Sequence, residues 1–143
     1  MNIEPAKFYS TLVNSMSDAV IYADAEGRVR FWNDGATRIF GFAEAEALGQ
    51  SLDIIIPENL RQRHWAGFDK TMETGESKYR AGALLAVPAI RKDGARISVE
   101  FTIVPFHDDS GKMAGIAAVM RDVSKRFEEV RALRQQLAEL QRK

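Results

Sequence analysis

The chain has 143 residues, of which 45% are apolar, and its 20 basic and 20 acidic side chains cancel to a formal net charge of zero at pH 7. This length suits one compact domain with a helical extension and excludes a multidomain enzyme for this chain. Because cysteine is absent, disulfide bonds, thiolate metal sites, iron–sulfur clusters, cysteine nucleophiles and thiol-dependent photochemistry are excluded as well.

Neither a membrane span nor an export signal is predicted. No run approaches the roughly 18 apolar residues that a span requires, and the first residues lack a basic segment followed by an apolar one. We therefore expect a cytoplasmic protein without a membrane partner. Residues 121–143 carry seven basic and four acidic side chains, which leaves the folded part slightly acidic. Nucleic-acid binding is not expected, since it requires a basic face.

The first predicted elements are a helix and an antiparallel hairpin. Apolar residues after Pro5 have the spacing of one helix face: Phe8, Leu12, Val13 and Met16. We assign residues 1–17 to this flanking helix and expect it to pack across the sheet. Two β-rich runs, residues 19–23 and 28–32, flank the turn-forming residues 24–27 and predict the hairpin.

Short helices and one longer helix are predicted next. Residues 34–49 contain helix formers interrupted by Gly41 and Gly49, which indicates two short helical segments. Pro57 is placed to begin a longer helix that Gly75 ends. One face of the longer helix carries mostly apolar residues and a single histidine: Leu60, His64, Gly67, Phe68, Thr71 and Met72.

Three strands and a final helix complete the pattern. Runs 80–90, 96–106 and 113–123 are separated by turn-forming stretches, which predicts an antiparallel meander and a five-stranded α+β domain over residues 18–123. Residues 124–143 form an amphipathic helix with the a/d spacing of a coiled coil, carried by Val130, Leu133, Leu137 and Leu140. This spacing favours a homodimer or a longer signalling helix over packing on the domain.

The order of elements resembles the PAS domain over nearly the whole chain. Several stretches are similar to its signature: GRVRFWNDGATRIFGF with Asn33 after the second strand, EALGQSL, IIPE, RKDG and AVMRDVSKR. The resemblance implies a PAS fold, in which helices cover one face of a five-stranded antiparallel sheet. It also implies an N-terminal helix and a coiled-coil-like exit helix.

Within this superfamily, the segment IIPENLRQRHWAGF resembles that of the haem-binding sensors of the FixL and direct-oxygen-sensor type. Their long helix donates a proximal histidine to iron, so the resemblance implies that His64 is the metal ligand of a haem b. A neutral imidazole on a rigid helix gives one axial bond and leaves the sixth position open for a gas. Arg61 and Arg63 are candidates to meet the haem propionates, with Arg63 preferred.

The expected distal wall departs from these relatives. Their first meander strand supplies an arginine or a methionine to the sixth position, where this chain has Leu84 or Leu85. Further candidates for the pocket wall are all apolar: Leu60, Phe68, Val87, Phe101, Ile103, Ala117 and Val119. A wall without hydrogen-bond donors favours carbon monoxide or nitric oxide over oxygen. Met113 and Met120 are possible sixth ligands, depending on which side chains face inward.

Two functions follow from these observations. The first is a haem-based sensor of a diatomic gas (carbon monoxide, nitric oxide or oxygen) or of redox state, with the signal passing to the exit helix, the dimer and a separate effector protein. The alternative is a PAS interaction or dimerisation module without haem, or with a small organic ligand in its cavity. A flavin is disfavoured because the expected pocket strands lack amide and hydroxyl groups.

No enzymatic activity is expected. The glycines form no phosphate-binding motif, and the acidic pairs lie on helices expected to be exposed, without a partner histidine or nucleophile. His107 lies beside Asp108 in a turn, so we expect it to be a solvated loop residue. Trp65 is assigned no role, because adjacent helix residues point about 100° apart and His64 is expected to point inward.

Overall fold

The computed structural model describes residues 2–76 and 83–142. The helices are α1 (Pro5–Ser15), α2 (Asp34–Phe40), α3 (Glu44–Ala47), α4 (Arg61–Thr74) and α5 (Ser124–Gln141), with 3-10 turns at Leu52–Ile55 and Glu58–Leu60. The strands are β1 (Ala19–Asp24), β2 (Val29–Trp32), β3 (Leu85–Ile90), β4 (Arg96–His107) and β5 (Met113–Asp122). They form one antiparallel sheet in the order β2-β1-β5-β4-β3. The predicted fold class is therefore confirmed.

The third predicted strand is shorter than the sequence pattern indicated. Of the predicted run 80–90, only Leu85–Ile90 forms β3, and its ladder with β4 begins at the pair Leu85–Phe101. Ala83 and Leu84 lie outside the strand, and residues 80–82 lie outside the described part of the chain. The other four strands agree with their predicted bounds to within one residue at each end.

A buried asparagine joins the start of α2 to the sheet. Asn33 is 2% exposed, and its Oδ1 accepts hydrogen bonds from the backbone N–H of Val20 and Ala36, at 2.8 and 2.9 Å. Its Nδ2 donates to the carbonyls of Val13 and Asp18, at 2.7 and 3.0 Å. All the hydrogen-bonding groups of the side chain are thus used, so its burial carries no unpaired polar atom.

The N-terminal helix does not pack as predicted. None of the residues of α1 is buried, and the helix packs against α2 rather than across the sheet. The hydrogen bond from Asn33 to Val13 explains this position, because it holds the last turn of α1 beside the start of α2. Leu12 of the apolar stripe is consequently more than half exposed.

The exit helix is attached to the sheet at its first turn. The backbone N–H of Ser98 in β4 donates to Oγ of Ser124 at 2.8 Å, and that hydroxyl donates to Asp122 at 2.6 Å. The N–H of Val123 donates to the carbonyl of Ser98 at 2.8 Å. Beyond this junction α5 contains no buried residue.

Among the described helices, none is both long and apolar enough to cross a membrane.

Candidate functional site

A cavity of about 560 Å³ lies between α4 and the sheet. This volume is within the range of roughly 300–1,000 Å³ that is common for sites holding a cofactor or another organic molecule. The sheet contributes a wall of apolar side chains, among them Leu85, Val87, Phe101, Ile103, Ile116, Ala118 and Met120. The opposite wall includes Leu60, Arg63, His64, Gly67, Phe68 and Thr71.

His64 is placed on the cavity wall by α4. Its side chain is partly buried, and its Nδ1 is enclosed by protein without a hydrogen-bond partner in the described part of the chain. Nε2 makes no hydrogen bond with another described residue either, and the His64 side chain lines the cavity. Neither ring nitrogen is therefore hydrogen-bonded to another described residue.

Burial lowers the pKa of His64 below its usual value of 6.5, because the positive form loses solvation. The carboxylates of Asp53 and Asp69 favour the positive form and offset part of this effect. The imidazole is consequently neutral at pH 7 and keeps a lone pair. A neutral imidazole is the form of histidine that binds metals.

Trp65 connects the histidine to the 3-10 turn Leu52–Ile55 and to the β1–β2 turn, a role that the sequence did not reveal. Its indole ring lies edge-on to His64, with 4.6 Å between the ring centroids, and its Nε1 donates a 2.7 Å hydrogen bond to Asp53. The same ring lies against Gly27 in the β1–β2 turn, where an added Cβ would overlap it. Gly27 also has a φ of +78°, a conformation that side-chain-bearing residues rarely adopt. These contacts join residues far apart in sequence, so no local pattern signals them.

The two candidate arginines have different surroundings. Arg61 donates from Nε to the carbonyl of Ile56 at 3.0 Å and from Nη2 to that of Asp53 at 3.2 Å. Its guanidinium also lies 3.9 Å from the Asp53 carboxylate, and the residue does not line the cavity. Arg63 lines the cavity, is exposed, and makes no ion pair or hydrogen bond within the described ranges. Of the two, Arg63 is the one available to an anionic group in the cavity.

The structure places some of the predicted wall residues outside the cavity. Leu85 lines the cavity, whereas Leu84 is 64% exposed and does not. Ala117 and Val119 lie on the opposite face of β5, because strand side chains alternate and the pairing with β4 sets the inward face. The residues of β5 that face the cavity are Ile116, Ala118 and Met120.

The two methionines considered as sixth ligands also differ in position. Met120 lines the cavity on the sheet side. Met113 is buried elsewhere, near Gly75 at the end of α4. His107 is exposed at the end of β4 and is likewise outside the cavity wall.

The described side chains contain no group of three or more histidine, aspartate or glutamate residues arranged to hold a metal ion. His64 would therefore be the single protein ligand of a metal ion. One protein ligand is sufficient when most of the coordination positions of the metal are filled by the molecule that carries it. The apolar lining suits a largely hydrophobic organic carrier of that metal.

Comparisons with known proteins agree with this architecture. A family model described as the PAS fold matches residues 13–128. The sensor protein FixL of Bradyrhizobium diazoefficiens is 30% identical over 103 residues, which cover 72% of this chain and 19% of FixL. The oxygen sensor protein DosP of Escherichia coli is 28% identical over 117 residues, which cover 82% of this chain and 14% of DosP.

Solved structures show the same fold. The PAS domain of a protein from Colwellia psychrerythraea has a TM-score of 0.72 at 19% identity, covering 85% of this chain and 99% of that structure. The present chain spans less than a fifth of the length of its curated relatives. The similarity therefore concerns a domain of those proteins, not their whole activities.

Proposed function

Since this chain belongs to the PAS family and is related to the sensors FixL and DosP, we propose that it is a haem-based sensor of a diatomic gas or of redox state. His64 is the protein ligand of iron in this proposal. The observation that carries it is the neutral imidazole on the wall of an apolar cavity, with both ring nitrogens free of hydrogen bonds in the described residues.

The described residues fit haem b in three respects. The cavity is large and apolar, as a porphyrin requires. A single imidazole is sufficient because the porphyrin supplies four nitrogen ligands of its own. Arg63 lies on the cavity wall and makes no ion pair with another described residue, so its guanidinium is available to a propionate. When bound, haem supplies an iron centre that takes up a diatomic gas or changes oxidation state.

The sheet wall determines which gas is accepted. The cavity-facing side chains of β3, β4 and β5 carry no N–H or O–H donor. Bound oxygen develops negative charge and is stabilised by a donor, whereas carbon monoxide and nitric oxide depend on one much less. Carbon monoxide and nitric oxide are therefore the favoured ligands. Met120 also lies on this wall, and its thioether would be available to the iron as a further ligand.

The signal leaves through the junction between the sheet and α5. Val99 of β4 and Met120 of β5 line the cavity, and the adjoining Ser98 and Asp122 hold Ser124 at the start of the exit helix. A change in the sheet wall therefore reaches the first turn of α5 through the hydrogen bonds of this junction. The output is a change in the packing of a homodimer through α5, read by a separate effector protein.

The experiment that tests this proposal is the absorption spectrum of the purified protein after haem addition, in the ferric, reduced and carbon-monoxide forms. Wild type is expected to bind haem stoichiometrically, with a Soret band that shifts on reduction and again with the gas. His64→Ala is expected to lose this band while keeping the far-UV circular dichroism of the fold. The matched control is His107→Ala, which removes the exposed histidine and should leave the spectrum unchanged. Stoichiometric haem retention by folded His64→Ala would remove His64 as the ligand.

A second candidate function is a PAS interaction module whose cavity takes up a small organic ligand or none. The apolar lining of the cavity and the exposed apolar stripe of α5 are as compatible with this alternative as with the haem sensor. The absence of a specific Soret band in wild type would support the interaction module over the haem sensor. Mass spectrometry of the protein purified under native conditions would then identify an organic occupant.

A further inference from the structure

We propose that Gly67 is a specificity-determining residue, whose missing side chain leaves a gap in the helix wall of the cavity for the carboxylate-bearing edge of an apolar occupant. The inference rests on the proposed function and deepens it, because haem b is a molecule of this chemistry. It follows from a glycine in α4 that the fold itself does not explain.

Neither backbone conformation nor close packing requires glycine at position 67. Gly67 lies in the interior of α4 and is not among the glycines with a positive φ. A Cβ added to it would meet no atom within 4 Å. At Gly35 and Gly115, which also lack a positive φ, an added Cβ would overlap neighbouring backbone atoms. Among the described glycines, Gly67 alone has neither reason.

This glycine makes α4 less stable than an alanine would. Glycine in a helix interior loses more conformational freedom on folding than alanine does, and it therefore disfavours the helix. No contact compensates for this loss, since the space beside the Cα of Gly67 is open. The missing side chain thus leaves room that no described residue fills.

The open space belongs to the cavity and lies beside a cationic side chain. Gly67 lines the cavity together with Arg63 and Thr71, which precede and follow it by one helical turn. Residues spaced in this way share one face of a helix, so the exposed backbone of Gly67 separates the two side chains. The hydroxyl of Thr71 donates to the carbonyl of Gly67 at 3.0 Å. Arg63, in contrast, makes no hydrogen bond or ion pair with another described residue, and its guanidinium is available to an anion at the gap.

Helix geometry places the gap on the side of Arg63. Side chains tilt toward the N-terminus of a helix, so each residue covers the surface over the turn that precedes it. A side chain at position 67 would therefore cover the surface between Gly67 and Arg63. Without one, a carboxylate substituent can lie against the helix backbone and reach the guanidinium.

The rest of the cavity wall is unsuitable for a carboxylate. Among the described residues that line the cavity, Arg63 is the one with a charged side chain, since burial favours the neutral form of His64. A carboxylate placed against the apolar sheet wall would lose its solvation without compensation. The apolar body of the occupant therefore lies against the sheet, and its carboxylate edge lies at Gly67.

The test compares haemin, which carries free carboxylates, with haemin dimethyl ester, which carries none. Each compound is titrated into the apoprotein of the full chain, and uptake is followed by absorption. Wild type is expected to bind haemin about fivefold more tightly than the ester or better, because the ester cannot accept a charge-assisted hydrogen bond from Arg63. Gly67→Leu is expected to lose this preference, because the leucine side chain fills the gap. Arg63→Gln should lose it as well, and the double variant should show no further loss, since both substitutions remove one contact.

The matched control is Ala66→Leu, which adds the same side chain to an exposed neighbour in α4 that does not line the cavity. It should keep the wild-type preference for haemin. A folded Gly67→Leu protein that retains this preference would overturn the inference and leave the proposed function intact, as would wild type that binds both compounds equally. Wild type that takes up neither compound would overturn the proposed function, and the inference with it.

Urea denaturation of the apoprotein adds a measurement that needs no haem. Gly67→Ala is expected to raise the urea concentration at the unfolding midpoint, because alanine favours the helix and the open space accepts its Cβ. A lower midpoint would show that the fold itself requires glycine at this position, and it would overturn the inference.

Discussion

The imidazole of His64 makes the stability of the ligand-free protein depend on pH. Burial lowers the pKa of this group in the folded state below the unfolded value near 6.5. As the pH falls through 6.5, the unfolded chain therefore takes up a proton before the folded one does. The free energy of unfolding is expected to decrease from pH 6.5 downward until the folded pKa is passed.

Chemical denaturation of the apoprotein between pH 5 and 8 checks this expectation. His64→Gln keeps a polar side chain but cannot titrate, so its unfolding free energy should lose this part of the pH dependence. The neighbouring charges of Asp53, Asp69 and Arg63 remain in the variant. An unaltered profile in His64→Gln would show that the histidine is not desolvated as described.

Leu84 and Leu85 form a matched pair for testing the sheet wall in the haem-loaded protein. Leu85 lines the cavity, and Leu84 does not. Leu85→Arg places a donor beside the gas site and should slow oxygen loss or autoxidation about tenfold or more, since a hydrogen bond to a charged acceptor contributes roughly 1.5–3 kcal/mol. Leu84→Arg should leave both rates unchanged.

Stopped-flow spectroscopy of the oxygen complex provides the measurement. Equal behaviour of the two variants would contradict the assigned inward face of β3. Because an arginine in an apolar cavity also lowers stability, each variant is compared at a temperature well below its unfolding midpoint.

Individual residues of the cavity could be predicted only in part. The residues of the helix wall could be predicted from the sequence, because the spacing of Leu60, His64 and Phe68 marks one helix face. The cavity-facing side of β5 could not be predicted, because the run from 116 to 120 is apolar throughout and shows no alternation that would identify an inward side. Pairing with β4 decides that face. The contacts of Trp65 with Asp53 and Gly27 are tertiary and have no local signal.

At the scale of elements, Asn33 joins α1, α2 and β1 through four hydrogen bonds. Asn33→Ala leaves buried backbone groups without partners and is expected to lower the free energy of unfolding by about 3 kcal/mol. Asn59→Ala removes an exposed asparagine that accepts from Arg96, and its effect should stay within about 0.5 kcal/mol. Urea denaturation of both variants makes the comparison. Equal stabilities would contradict the role assigned to Asn33.

Most elements were predictable because their ends carry strong local signals. Gly41 and Gly75 follow helices in the left-handed conformation, as expected of helix-ending glycines. The position of α1 was not predictable, since its apolar stripe is equally compatible with a sheet or a helix as partner. The hydrogen bond from Asn33 to Val13 resolves this choice in favour of α2.

At the scale of the whole molecule, the exposed stripe of α5 predicts a dimer. Leu133, Leu137 and Leu140 are each more than half exposed, and the helix contains no buried residue. Leu133→Asp combined with Leu137→Asp places charge in the a/d seam and should shift the protein toward monomer. The control, Gln135→Asp combined with Gln136→Asp, adds the same charge outside the stripe. Sedimentation velocity of both variants distinguishes the masses, and an equal effect of the two pairs would contradict dimerisation through this seam.

The contact between Trp65 and His64 also equips the molecule with an optical reporter. The chain has two tryptophans: Trp32 is buried in the core, whereas Trp65 packs against the cavity histidine. Filling the cavity changes the surroundings of Trp65 and hence its emission, while Trp65→Phe leaves Trp32 as a reference. The difference between wild type and this variant measures occupancy of the cavity without a label, and it responds to a colourless occupant as readily as to a coloured one.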